Sequence, residues 1–423
     1  MSTVTRRQAI VLSSTFVGGM LAAPALATGR AKVVVVGGGF GGVSAARELR
    51  AIDPSIEVTL VVDSDSYSTC PFSNLVIAGE RPMSAITFGY DGLAAVGVVI
   101  RQGMATRIDA DRRVVVLEDG DELAFDRAIV SPGIELKYGA VPGYDEAAAT
   151  RMPHAWKAGA QTELLRDQLA AMRPGGTFVM SVPDNPYRCP PGPYERASLV
   201  AWYLSRHNPT AKIIIVDGKD TFSKQSLFQQ AWKERYPGMI THVPFAESGG
   251  VTEVDPATLE VHTPFETFKG DVVNFIPPQR AAAVAANSGL TGTGEWCQID
   301  QATFESLIVP HVHVLGDAAI VGDMPKSGFS ASVQGGVCAH VVAALLRGEE
   351  PPQGVLLNTC YSLVAPDYGI SVAGVYRLNN ERLLKSVEGS GGNSPLEVAD
   401  GFRQAEADHA RDWYATQTSR LFR

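Results

Sequence analysis

The chain has 423 residues, 45% of them hydrophobic, with 42 glycines and a formal net charge of −9. That is enough chain for two or three α/β cores of real size. The acidic balance, with no basic run or stripe, excludes a nucleic-acid binder that works by phosphate neutralisation.

Residues 1–30 read as a cleaved export signal. Thr5-Arg6-Arg7-Gln8-Ala9-Ile10 has the twin-arginine pattern, a mostly apolar stretch runs to Ala23, and Ala25-Leu26-Ala27 offers a small-residue cleavage site. The stretch is shorter than the roughly 20 residues that span a bilayer. No other span is expected, so the mature protein is expected in the periplasm without stable membrane insertion, where disulfides persist. Five cysteines is an odd number, so any pairing leaves at least one thiol free or attached to something else.

Ala31 to Val36 reads as a buried strand, Gly37-Gly38-Gly39-Phe40-Gly41-Gly42 follows at once, Val43 to Arg50 reads as a helix and Glu57 to Val62 as the next strand. Strand, GxGxxG, helix and strand in that order form the dinucleotide fingerprint, with Gly37, Gly39 and Gly42 allowing a tight turn and close approach to a pyrophosphate. Asp63, ending the second strand, is the choice for the adenosine ribose, with Asp65 as the alternative. Cys70 follows in Ser68-Thr69-Cys70-Pro71-Phe72, where a cysteine is odd as packing. Residues 98–131 read as β-rich and end in Ser131-Pro132-Gly133, where flavoproteins with two dinucleotide domains bring the chain back beside FAD. A strand running into Gly316-Asp317 is the second FAD signature of that superfamily, and Asp317 would accept from the ribityl hydroxyls. The FAD-binding domain is therefore expected to be discontinuous, 31–150 with 276–355.

The insert at 151–275 reads as a second βαβ unit: strand Thr177 to Val182, helix Tyr194 to Ser205, strand Lys212 to Asp217. Its first turn is not glycine-rich but Pro183-Asp184-Asn185-Pro186-Tyr187-Arg188-Cys189-Pro190-Pro191-Gly192-Pro193. Prolines remove N–H donors and bulky side chains block a pyrophosphate, so NAD binding is not expected. Cys189 instead stands at the position nearest a flavin. Residues 356–423 lack the βα rhythm and hold Cys360 and a polar terminal helix. The fold class is thus α/β: two Rossmann-like dinucleotide-binding domains of the disulfide-reductase type plus a small C-terminal α+β domain. Cys297 and Cys338 read as core packing.

Several stretches resemble the flavoprotein subunit of flavocytochrome c sulfide dehydrogenase: Arg188-Cys189-Pro190-Pro191-Gly192-Pro193-Tyr194-Glu195-Arg196-Ala197-Ser198, Thr221-Phe222-Ser223-Lys224-Gln225-Ser226, Ile276-Pro277-Pro278-Gln279-Arg280, Met324-Pro325-Lys326-Ser327-Gly328 and Leu357-Asn358-Thr359-Cys360-Tyr361-Ser362. The resemblance implies FAD on an 8α-S-cysteinyl link at Cys70 and a redox disulfide between Cys189 and Cys360. It also implies a c-type cytochrome subunit as electron acceptor, with haem only on that partner. Glu195 falls on the family's acidic residue beside the disulfide. Two departures stand out: Val62 occupies a position where the family tends to place an acid, and Cys70-Pro71-Phe72 replaces the commoner Cys-Tyr-Leu.

The expected chemistry is attack of sulfide on the disulfide, with two electrons passing to FAD and then singly to haem. Glu195 would handle sulfur-bound protons, or would be a solvated carboxylate at a helix start. Lys326, with the helix beginning near Ser327, would stabilise negative charge on the reduced flavin, or would be an exposed lysine. Two other functions fit the sequence. One is a sulfide:quinone-type reductase, which needs an apolar membrane face; the other is a non-enzymatic flavoprotein that activates a sulfur-oxidising complex.

Overall fold

Strand Lys32–Val36 is four valines after a lysine, all four buried. β-Branched side chains favour the extended backbone, and burial on both faces suits the centre of a parallel sheet. It pairs in parallel with Glu57–Val62 on one side and Arg127–Val130 on the other, and the five-stranded sheet is completed by Val99–Gln102 and Val312–Val314 at its edges. The last of these strands arrives from far along the chain, with Val312 opposite Ala128, so one sheet is built from both flanks of the insert. The structure is a computed structural model in which residues 30–423 are described. The expected twin-arginine signal, with Arg6-Arg7 and its cleavage site, lies outside those residues.

The insert forms its own four-stranded parallel sheet, in the order Ile240–Val243, Lys212–Asp217, Thr177–Val182, Val272–Phe275. Helix Gly192–His207 crosses between its two central strands. It begins two residues earlier than the sequence suggests, because Pro193 fits the first helical turn, where its missing N–H costs nothing. The two flanks of the insert are joined beside it by the antiparallel pair Ile134–Leu136 with Gln279–Ala281. Ala31–Arg423 form one compact unit, so the expected boundaries at 150, 275 and 355 separate sheets within one body.

The last segment is a long antiparallel hairpin, Leu356–Ala365 with Tyr368–Leu378, extended by Leu384–Ser386 and closed by helix Phe402–Phe422. Polar as that helix reads, it buries Tyr414, Leu421 and Phe422. Phe422 stacks on Phe88 at 5.3 Å and on Tyr67 at 5.9 Å, which ties the chain's end to the first domain.

Helix Gly328–Leu346 is long and apolar enough to cross a bilayer by composition, but most of it is buried against Phe40–Ile52 and the Leu356–Ala365 strand. Its apolarity is that of a core helix. Cys338 on this helix and Cys297 are fully buried in the core, and burial pushes the Cys297 thiol up to about 12 and Cys338 higher still. Neither thiol has thiolate character at neutral pH.

Candidate active site

A groove of about 610 Å³ runs along the carboxyl ends of the first sheet, within the about 300–1,000 Å³ usual for cofactor-sized sites. Its walls include Gly37, Gly39, Asp63, Tyr67, Cys70, Ser131-Pro132-Gly133, Arg188 and Asp317. Gly37 has φ +108°, and a Cβ there would lie 2.2 Å from the Ser131 carbonyl oxygen. Gly42 and Gly316 stand behind the wall. A Cβ on Gly42 would meet the Gly37 carbonyl oxygen at 2.0 Å, and the Gly316 N–H donates to Gln334 Oε1 at 2.8 Å. Asp63 reaches the groove from the end of Glu57–Val62.

Two buried polar atoms on residues of this wall have no hydrogen-bond partner within the protein: Asp317 Oδ1 and Arg188 Nε. Burial pushes the Asp317 carboxyl up, and the Arg188 and Lys326 charges only partly offset it. Uncompensated buried polar groups are costly, and a cofactor rich in hydroxyls and phosphates would satisfy both. The glycine turn, the acid at the strand end and these two orphaned atoms together fit FAD.

Lys326 is the one expected cofactor residue whose charge is not on the groove wall. Its ammonium donates to the carbonyl oxygens of Asp317 at 2.8 Å and Ala319 at 2.7 Å and lies 4.0 Å from the centre of the Trp296 ring. Burial lowers it to about 8. It clamps the Asp317 turn, while Ser327 and Gly328, at the start of the following helix, line the groove in its place.

Beside the groove lies a smaller pocket of about 80 Å³, and Cys70 and Cys189 line both. Cys360 lines the small pocket, together with Glu195, Trp156, Phe329 and Trp413. The three cysteines named from the sequence are thus brought to one place, as free thiols. Cys189 has φ +59°, a left-handed conformation rare for a residue with a Cβ, and is held there by its N–H donating to Lys326 O at 2.8 Å and its carbonyl accepting from Gly192 at 2.8 Å. Burial, then the nearby Cys70, Cys360 and Glu195, push its thiol well up, with Arg188 opposing. Cys70 is held from the C-terminal helix: Thr69 Oγ1 and Tyr414 Oη are 2.7 Å apart, and Phe72 stacks on Tyr414 at 4.3 Å.

Glu195 is half-buried and oriented at both oxygens, accepting from Leu363 N–H at 2.8 Å and from Asn74 Nδ2 at 2.8 Å. Burial raises its carboxyl, against those bonds and the Lys224 and Arg196 charges. The solvated-carboxylate alternative does not describe it.

The sequence did not single out the groups that hold these residues. Arg196, 2% exposed, donates to Asn74 Oδ1, Asn274 Oδ1 and the carbonyls of His154 and Ala155, and its guanidinium lies 4.9 Å from the Trp156 ring. Burial lowers it to about 10. Lys224, also buried, donates to Cys360 O at 2.8 Å and Ser362 Oγ at 2.8 Å, and burial lowers it to about 8 despite the nearby Cys360, Glu195 and Cys189. A buried cation inside a conspicuous motif such as Thr221–Ser226 was the available signal.

Where the second sheet would hold a nicotinamide dinucleotide's ribose, the acid at the strand end is Asp217, and it is fully spent. It accepts from Tyr194 Oη at 2.5 Å, Lys219 Nζ at 2.6 Å and His242 Nε2 at 3.0 Å. Burial alone would raise its carboxyl; these three partners outweigh burial and hold it low. With proline replacing glycine in the turn and this carboxylate occupied, the second sheet keeps the Rossmann frame without its ligand chemistry.

Three family models match the chain: pyridine nucleotide-disulphide oxidoreductase over residues 31–170, the central part of the sulfide dehydrogenase [flavocytochrome c] flavoprotein chain over 162–277, and the flavin-binding part of flavocytochrome c sulphide dehydrogenase over 352–422. The sulfide dehydrogenase [flavocytochrome c] flavoprotein chain of Chlorobaculum thiosulfatiphilum is 62% identical over 48 residues, which are 11% of this chain and the whole of that sequence. The chain belongs to the flavocytochrome c sulfide dehydrogenase flavoprotein family. The chain also shares its fold with sulfide:quinone oxidoreductases. The mitochondrial one of Mus musculus is 22% identical over 334 residues, 76% of this chain and 72% of its own. The structure of the Aquifex aeolicus one superposes with a TM-score of 0.73 at 16% identity, over 92% of both chains. The chain is an FAD-dependent oxidoreductase of the sulfide-oxidising type.

Proposed function

We propose that this chain oxidises sulfide through a Cys189–Cys360 redox disulfide to FAD attached at Cys70 through an 8α-S-cysteinyl link, and that the electrons leave to a haem on a c-type cytochrome subunit. Periplasmic residence after twin-arginine export belongs to the same reading. The observation that carries it is the meeting of all three cysteines where the small pocket joins the dinucleotide groove. About 80 Å³ is room for a hydrosulfide anion and a few waters.

Hydrosulfide enters and attacks one sulfur of the pair by thiol–disulfide exchange. Lys224 supports the negative charge of the incoming anion and of the thiolate released, because its ammonium is fixed on the Cys360 carbonyl and buried where little water screens it. Glu195, held by Leu363 and Asn74, can take up the proton of the persulfide's outer sulfur once the exchange is complete. Gly37, Asp63, Arg188 and Asp317 would hold the FAD, which supplies the conversion of one two-electron oxidation into single-electron steps.

An acceptor met in water is supported by the C-terminal helix, whose exposed face is mainly polar and carries Gln404, Asp408, His409, Asp412 and Arg420. The Cys70 pocket shares Phe329 and Trp413 with a surface depression rimmed by Glu48, His340 and Arg420, a short way out for electrons. The test is reduction of a c-type cytochrome by the purified holoprotein: sulfide-dependent reduction is expected, and reduction of a quinone alone would contradict it.

Two outcomes are expected of individual residues. Acid precipitation leaves the yellow colour with the pellet in wild type and releases it in Cys70→Ser; release from wild type would refute the tether. The rate of flavin bleaching by sulfide falls as pH rises through about 8, as Lys224 loses its proton. The sign follows from charge: a folded-state value lowered toward 8 means the ammonium is present below that pH and lost above it. Lys224→Met removes this limb and is slower throughout, while an alkaline limb unchanged in the variant would assign it elsewhere.

A further inference from the structure

Cys189 and Cys360 are not equivalent in their surroundings. Asn358 is 2% exposed, on the same strand as Cys360, and its Nδ2 donates to Cys360 Sγ at 3.3 Å. The other end of the amide is held, Oδ1 accepting from Ser327 Oγ at 2.7 Å and Ser330 Oγ at 3.0 Å, with Cys360 Sγ farther from it at 3.7 Å than from Nδ2. Ser327 Oγ itself accepts the Ser330 N–H at 3.0 Å, so its own proton is free for Asn358. Among the described residues no side chain donates to Cys189 Sγ. A hydrogen bond to the charged form favours ionisation, so the two sulfurs differ in which one can carry the electron pair when the bond between them breaks.

We propose that Asn358 is a positioning residue that sets the polarity of the Cys189–Cys360 disulfide: Cys360 leaves as the thiolate, and sulfide adds to Cys189. This rests on the redox-disulfide reading above. The step is HS⁻ plus the disulfide giving a Cys189 persulfide and a Cys360 thiolate. One S–S bond forms between the substrate sulfur and Cys189 Sγ, the Cys189–Cys360 bond breaks, and its electron pair stays on Cys360. The substrate proton stays on the outer sulfur of the persulfide. Lys224, bonded to the Cys360 carbonyl, adds positive charge on the same side. Glu195, one turn into the helix that follows Cys189, opposes a negative charge on the Cys189 sulfur. The raised Cys189 thiol points the same way.

The test uses oxidised holoprotein. Before sulfide is added, peptide mapping under denaturing alkylation is expected to show Cys189 and Cys360 in one linked pair of peptides. After one equivalent of sulfide without oxygen, the extra sulfur is expected on Cys189, with Cys360 alkylated directly. In the reduced protein, Asn358→Ala is expected to move the pH midpoint of Cys360 alkylation upward and to slow alkylation at neutral pH about tenfold, the effect of losing one hydrogen bond to a charged group. Asn358→Ser, which keeps a donor, is expected to shift it less. Extra sulfur on Cys360 in the wild type overturns the polarity while leaving the disulfide standing. An unmoved midpoint in Asn358→Ala removes the role of Asn358. Alkylation of both cysteines before any sulfide is added overturns the disulfide and this proposal together.

Discussion

Cys189→Ser is expected to hold its flavin, fold normally, and lose sulfide-driven flavin bleaching by at least about a thousandfold, as loss of a nucleophilic centre does elsewhere. The reason lies in what Cys189 does and does not touch. Its backbone is fixed by the Lys326 carbonyl and the Gly192 N–H, bonds that serine keeps. Its sulfur is the only part that changes, and an oxygen cannot accept sulfide by exchange. Cys360→Ser is expected to fail equally, whereas Cys297→Ala and Cys338→Ala, in the core and away from the pocket, leave the rate unchanged. The readout is absorbance of the oxidised flavin after anaerobic mixing with sulfide. A bleaching rate in Cys189→Ser within tenfold of wild type would place the chemistry outside the cysteine pair.

Arg196→Met is expected to destabilise the protein by about 3–5 kcal/mol, the usual cost of breaking a buried charged network. The guanidinium joins four acceptors drawn from three parts of the chain: Asn74 before the insert, His154 and Ala155 at its start, and Asn274 on its last strand. Methionine fills the space but leaves buried acceptors without donors. It also frees the Asn74 amide that orients Glu195, so the sulfide rate falls with stability. Arg166→Met removes an exposed pair with the adjacent Asp167 and is expected to stay within about 0.5 kcal/mol. Urea unfolding of the holoproteins separates the two, and equal midpoints for both variants would show that the buried arginine carries no structural load.

Much of the fold was legible because its signals are local. The valine strand, Gly37 to Gly42 and the following helix lie within 21 residues, and Gly37 and Gly42 have steric reasons visible from the motif. Cys70, Cys189 and Cys360 stood out because their neighbours are wrong for packing and, at Cys189, wrong for a nucleotide. What could not be read is what long-range closure decides. Glu195 meets Leu363 across 168 positions, Asn74 meets Glu195 across 121, and Thr69 meets Tyr414 across 345. Lys326 failed for the same reason: its position at a helix start suggested a charge aimed at the cofactor, but Asp317 O, Ala319 O and the Trp296 ring take up its ammonium. The C-terminal helix read as polar, and its sequence alone does not show that Trp413 lines the Cys70 pocket or that Tyr414 packs on Phe72 beside Cys70.

The central claim is that two of the five thiols form a redox couple with the flavin. Reductive titration of the oxidised holoprotein tests it directly. A disulfide and a flavin each take two electrons, so about four electrons per flavin are expected before reduction is complete, with two thiols appearing along the way. Uptake of only about two electrons, with no gain in thiols, would contradict it.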